Sequence, residues 1–116
     1  MAVDVIVDIA TALICFASSC HPILVGNDTP RGEFQLKHHT ITNPIYGGDL
    51  LVFKIKGESI FAIHRIIDVP GQQRLARIRI PYPQYRITIT AGCINVEPEI
   101  YDKLVECCST STLIIK

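Results

Sequence analysis

The sequence predicts a mainly β fold, a sandwich or mixed sheet, in one domain over residues 1–116, with one helix after a late cysteine. Three observations carry this. Short segments rich in Val, Ile and Thr recur along the chain, separated by Gly, Pro, Asn and Ser clusters. Helical spacing is clear once, at Ile100, Leu104 and Cys107 or Cys108. The last β-branched run, Thr88-Ile89-Thr90, stops at Gly92-Cys93 just ahead of that helical segment, so a cysteine stands where a strand ends.

In chain order, Val3 to Phe16 reads as a strand, Ala17-Ser18-Ser19 as a turn and Cys20 to Val25 as the returning strand. Gly26-Asn27-Asp28 is a loop, and Gly32 to His38 alternates again, which completes a β meander. Thr42-Asn43-Pro44 and Gly47-Gly48-Asp49 interrupt the chain. Leu50 to Lys56 and Ile60 to Asp68 then form a hairpin across a Lys56 to Ser59 turn. Pro70-Gly71-Gln72-Gln73 breaks it, Arg74 to Ile80 alternates charged with apolar residues, and Pro81-Tyr82-Pro83 excludes regular structure. Arg86 to Thr90 is the last strand before the cysteine. The helix runs from Glu97 to Cys108, with Pro98 acceptable in its first turn and Glu97 and Glu99 favourable at the positive end of its dipole. Leu113-Ile114-Ile115 closes the chain as a strand.

Composition excludes several classes. The chain has 116 residues, and eleven Lys and Arg balance eleven Asp and Glu, so no charge excess points to nucleic acid or to an anionic membrane surface. The longest apolar run, Ile9 to Ala17, falls well short of the ~20 residues of a spanning helix. No signal-peptide pattern is visible, because Asp4 and Asp8 precede the first basic residue, Arg31. A chain acting outside the cytoplasm is then expected to be a processed or truncated form, or to be exported by a dedicated route. Cys20, His21, His38 and His39 are metal-ligand types, but adjacent residues on a strand point to opposite faces, so no metal site is expected. Five cysteines, an odd number, leave at least one unpaired if no intermolecular bond forms. Cys93 is the expected one, while Cys15 and Cys20 flank a turn and can pair in an oxidising compartment.

Free cysteine most often behaves as a small buried hydrophobe. Cys93 is set apart by Gly92, which permits a sharp turn, and by amides of Gly92 and Cys93 that could meet an oxyanion. A helix N-terminus nearby would favour the thiolate. A nucleophilic thiol needs an imidazole. His64 lies in a strand where Ala62, His64 and Ile66 share one face and Phe61, Ile63 and Arg65 the other; such a histidine is either a satisfied structural residue or that base. Thr90 either orients the cysteine loop through its hydroxyl or is a plain strand residue. Arg86, Arg65 and Arg79 either grip carboxylates or line a solvated strand face, the latter preferred for Arg79. Tyr46 and Gly47 belong to a substrate groove or a simple turn.

Three ordered blocks, Asp28-Thr29-Pro30-Arg31-Gly32-Glu33-Phe34, Ile63-His64 and Thr90-Ala91-Gly92-Cys93-Ile94-Asn95-Val96, resemble the catalytic domain of bacterial L,D-transpeptidases, which cross-link peptidoglycan through a cysteine nucleophile. The resemblance implies an L,D-transpeptidase-like β fold acting on peptidoglycan tetrapeptide stems in the periplasm or cell envelope, with no cofactor. It implies Cys93 as nucleophile and His64 as base, steadied by the Arg65 carbonyl. Taken with the residue readings above, Gly92, Thr90 and Arg65 are the expected oxyanion and orienting residues, and Arg86, Asn95 and Tyr46 the expected substrate contacts. The products implied are a cross-link, D-amino acid exchange or L,D-carboxypeptidase cleavage. Arg65 stands where the family has glycine, Asn95 where many members have arginine, and Ala91 where many have histidine. Two rivals follow: an exported antibacterial effector with immunity or secretion partners, and a non-catalytic peptidoglycan-binding module that kept the fold.

Overall fold

A computed structural model describes residues 4–116, as two mixed sheets and a helix around a shared core. The first sheet orders its strands β3 (Ser19–Pro22), β2 (Leu13–Phe16), β1 (Val5–Asp8), β9 (Thr112–Ile115) and β4 (Gly32–Gln35). The second orders β5 (Lys37–Thr40), β6 (Asp49–Lys56), β7 (Ser59–Arg65) and β8 (Ile94–Val96). Two pairs are parallel, β1 with β9 and β7 with β8, and each requires a long crossover. The β7 to β8 crossover carries α1 (Arg74–Arg77) and a 3-10 turn at Pro83–Tyr85; the helix α2 (Pro98–Cys108) leads from β8 into β9. No helix among the described residues is long and apolar enough to cross a membrane.

The mainly β reading with one substantial helix holds, and α2 begins one residue after Glu97. Its Ile100, Tyr101, Leu104 and Cys108 are buried and join Val5, Ile14, Leu51, Ile63, Ile94 and Leu113 in one core. Phe34 of β4 meets Phe53 of β6 edge-on at 5.3 Å, which ties the sheets together.

Several boundaries differ from the sequence reading. Val3 to Phe16 is a hairpin rather than one strand, with Val3 outside the described residues. The chain reverses at Ala12, whose φ of 51° is left-handed, and Asp8 Oδ1 accepts the Thr11 amide at 3.4 Å. No Gly, Pro or Asn marks that turn. Gly32 to His38 is split between the sheets at Leu36, which is buried and donates its amide to the Ser111 carbonyl at 3.0 Å. Arg74 to Ile80 opens with α1, and Arg74 and Ile78, four apart on one helical face, are both buried. Arg86 to Thr90 is not a strand: the amides of Ile89 and Thr90 converge on one carbonyl, that of Val25, at 2.9 and 3.2 Å, so no ladder can propagate.

Candidate active site

Cys93 lies just before β8, not at the end of a preceding strand. Four residues separate it from Pro98, so about 16 Å of largely extended chain keeps the N-terminus of α2 away from the thiol. In the β7–β8 register Ile63 faces Ile94 and His64 faces Asn95. By the period of two, Ala62 and His64 share a face with Cys93 and Asn95. Cys93 and His64 are therefore diagonal neighbours, with Asn95 directly opposite the imidazole.

Two clefts meet at this face, a mostly apolar one of about 530 Å³ and a smaller one of about 290 Å³. Tyr46, Ile60, His64 and Cys93 line both. Tyr46 comes from a 3-10 turn, Pro44–Tyr46, capped by the Asn43 side chain, and its ring stands edge-on to His64 at 4.9 Å. Next to it, Gly47 has φ +79°, and a Cβ there would come within 2.9 Å of Arg65 Nη1.

His64 is 3 % exposed. Its Nδ1 lies 2.7 Å from the Arg65 carbonyl, which can only accept, so Nδ1 carries the proton and Nε2 the lone pair. That lone pair receives the Asn95 side-chain amide at 3.3 Å. Burial depresses the imidazole pKa, the Arg65 carbonyl partly opposes this, and the positive charge of Arg74 adds to the depression, so the ring is neutral at pH 7. No hydrogen bond joins it to Cys93, whose thiol instead donates to the Ile60 carbonyl at 3.6 Å. Burial holds the Cys93 thiol above its ordinary pKa, and the Ala62 amide and the positive charge of Arg74 offset this only in part. Cys15 pairs with Cys20 and Cys107 with Cys108, which leaves Cys93 as the free thiol.

Thr90 orients the cysteine loop: its hydroxyl donates to the Cys93 carbonyl at 2.6 Å and accepts the Gly92 amide at 3.2 Å. The Gly92 amide is thereby committed and does not face an oxyanion. Gly92 itself has φ +128°, and a Cβ there would lie 2.6 Å from Phe61 Cε1. Gly92→Ala is expected to destabilise by about 1–3 kcal/mol from backbone strain alone, read as a lower urea midpoint with an unchanged m-value.

The other arginines lie elsewhere. Arg65 contributes its carbonyl, but its side chain turns to Asp49 at 2.6 Å, Asp102 at 3.2 Å and the Tyr101 ring at 4.2 Å. Arg86, expected at the substrate, is 3 % exposed and pins the carbonyls of Ile80, Thr11 and Ala12. It lines neither cleft that holds Cys93. Arg79 is exposed and approaches Glu97 at 3.5 Å. The arginine at the site is Arg74, which the sequence reading passed over. It lines the smaller cleft beside Cys93 and Ala91, and its Nη1 donates to Asn95 Oδ1 at 2.9 Å. Its four-residue spacing to Ile78 was the one available signal of an inward face. Asn95 is fully buried, so it joins Arg74 to His64, and both its backbone groups bond to Leu24, at 2.9 and 3.0 Å.

No family model matches the sequence, and no curated protein matches it either. Among solved structures, it is similar to an L,D-transpeptidase from Xylanimonas cellulosilytica, with a TM-score of 0.63, 14% identity and coverage of 99% of this chain and 60% of that one. L,D-transpeptidase 3 from Mycobacterium tuberculosis, in complex with a faropenem-derived adduct, gives a TM-score of 0.70, 10% identity and coverage of 99% and 60%. A cysteine-to-serine mutant of the Enterococcus faecium L,D-transpeptidase gives 0.70, 14%, and coverage of 100% and 50%. The chain thus spans about half to three-fifths of those chains. At these identities the likeness is one of architecture: this chain has the fold of the L,D-transpeptidases.

Proposed function

We propose that the protein is a cysteine acyltransferase of the L,D-transpeptidase family, acting on peptidoglycan tetrapeptide stems in the cell envelope. The observation that carries this reading is a free thiol and a neutral, carbonyl-anchored imidazole on one sheet face, at the junction of two clefts, on that fold. A junction of two clefts suits a reaction with two substrates.

In the proposed reaction the Cys93 sulfur attacks the carbonyl of the L-centre of the diamino acid. Its proton passes to His64 Nε2, once the Asn95 amide releases that lone pair. The amide C–N bond breaks, terminal D-alanine leaves with the proton on its amine, and a thioester remains on Cys93. An acceptor then attacks the thioester carbonyl, its proton passes to His64 Nε2 and on to the sulfur, and the C–S bond breaks to restore the thiol. An amine from another stem gives a cross-link, a free D-amino acid gives exchange, and water gives carboxypeptidase cleavage. An exported effector that consumes stems would use the same steps.

A second reading, a stem-binding module without turnover, is favoured by one observation: His64 Nε2 is occupied by Asn95 and makes no hydrogen bond to Cys93. Incubation of the wild type and Ala91→His with purified muropeptides separates the two. We expect wild-type turnover, with the added ring changing rate or substrate preference modestly, because it fills the cleft without supplying a missing proton acceptor. Turnover in Ala91→His alone would favour the binding module.

A further inference from the structure

We propose that Arg74 is the counter-ion that receives the Cys93 thiolate as it forms, while His64 is neutral in the free enzyme and carries the thiol proton only during turnover. This rests on Cys93 being the reactive thiol of the proposed function.

Arg74 is 8 % exposed and has no acidic partner among the described residues. Its Nε donates to Gln72 Oε1 at 2.7 Å and its Nη1 to Asn95 Oδ1 at 2.9 Å, both neutral acceptors. A buried guanidinium satisfied only by amides keeps its full charge uncompensated, and such a charge draws the nearest ionisable acid toward its anionic form. Nη2 makes no hydrogen bond among the described residues and belongs to a side chain that lines the smaller cleft with Cys93. No carboxylate lines either cleft that contains the thiol. The titratable or charged groups there are Arg74, His64, Tyr46 and, across the larger cleft, His39; Asp28, Lys54 and Lys56 line an adjoining groove that reaches Ala91. Of the two acids that line the smaller cleft with Arg74, Cys93 and Tyr46, a thiol is by its chemistry the stronger. The attraction runs both ways: Arg74 draws the thiol toward ionisation, and the thiolate opposes the effect of burial on Arg74.

His64 is unsuited to the role of resident cation. Its Nε2 would have to displace the Asn95 amide to take a proton, and it would then share a buried network with Arg74. When free enzyme ionises, the thiol proton leaves to water in the cleft. In turnover the protonated thiol is the reacting form: its proton goes to His64 Nε2 as the sulfur attacks and on to the leaving amine, where repulsion from Arg74 favours its departure.

The test is the pH dependence of Cys93 alkylation by iodoacetamide, which requires no peptidoglycan substrate. Arg74→Gln is expected to move the midpoint upward by about one unit, so that alkylation below it slows about tenfold. Arg74→Lys keeps a charge but loses the planar fork, and should stay within about threefold of the wild type. Gln72→Glu places a carboxylate against Arg74 from a half-buried loop position and should raise the midpoint as Arg74→Gln does. If Arg74→Gln does not fold, Gln72→Glu decides. His64→Gln should leave the midpoint in place. Unchanged profiles in Arg74→Gln and Gln72→Glu would overturn the proposal, as would Arg74→Lys behaving like Arg74→Gln, or a raised midpoint in His64→Gln. Failure to process muropeptides would instead refute the peptidoglycan reading and leave the alkylation result standing.

Discussion

Cys93→Ala is expected to fold as the wild type does and to process no peptidoglycan stem. The thiol makes one long hydrogen bond, to the Ile60 carbonyl at 3.6 Å, and is partly exposed, so its removal costs the fold little. The contacts that shape the loop survive, because Thr90 holds it through the Gly92 amide and the Cys93 carbonyl, both backbone groups. Alanine is tolerated there, whereas at the neighbouring Gly92 it is not. Loss of the nucleophile removes the covalent route altogether, a fall of roughly 10⁴–10⁶-fold in turnover. Muropeptide assays beside a thermal melt check both halves. The same pair of proteins tests the thiol itself: intact-mass analysis after iodoacetamide treatment should show one added group on the wild type that Cys93→Ala lacks. A folded Cys93→Ala protein that still converts stems would sink the acyl-transfer reading.

What was legible in the sequence follows from which interactions are local. The alternation Phe61 to Ile66 correctly divides His64 from Arg65, because side-chain direction in a strand depends only on period two. That division sends His64 to the clefts and Arg65 to Asp49 and Asp102, and it leaves the Arg65 carbonyl against the imidazole. Helix α2 was legible from spacing and its first-turn proline. The strand β8 was not, being three residues long and stabilised by β7 on one side and Leu24 on the other, partners distant in sequence. The same applies to the arginines. Beyond the four-residue spacing of Arg74 to Ile78, nothing local tells Arg86, which pins three carbonyls in the first third of the chain and the crossover, from Arg74, which reaches the site. Both are buried by the path of the β7 to β8 crossover, and propensities do not encode that path. Position 91 shows the complement: the family wording flagged the missing histidine, but only the fold reveals a guanidinium lining the same cleft as Ala91.

His64→Ala is expected to lower turnover by about 10²–10⁴-fold, the usual contribution of a positioned proton carrier, with a smaller effect on stem binding. The imidazole is preset for the task. Its Nδ1 proton is fixed on the Arg65 carbonyl, which leaves Nε2 as the proton acceptor once the Asn95 amide that occupies it is displaced. The same residue leaves a signature in stability. Because burial lowers its pKa in the folded protein below the ordinary value of 6.5, the unfolded chain takes up a proton first as the pH falls. The unfolded state then binds more protons, so stability declines from about pH 6.5 down to the depressed folded value and levels off below it. Alanine cannot titrate, so His64→Ala should lose that part of the acid-side decline while gaining a cavity cost that does not vary with pH. Urea unfolding of both proteins between pH 5 and 8 reads the difference. If the difference in stability between the two is flat across that range, His64 is not a buried neutral imidazole and the base must be sought elsewhere. If it narrows toward low pH while turnover in His64→Ala stays within tenfold of the wild type, the ring is a structural residue that titrates as described but carries no proton for the reaction.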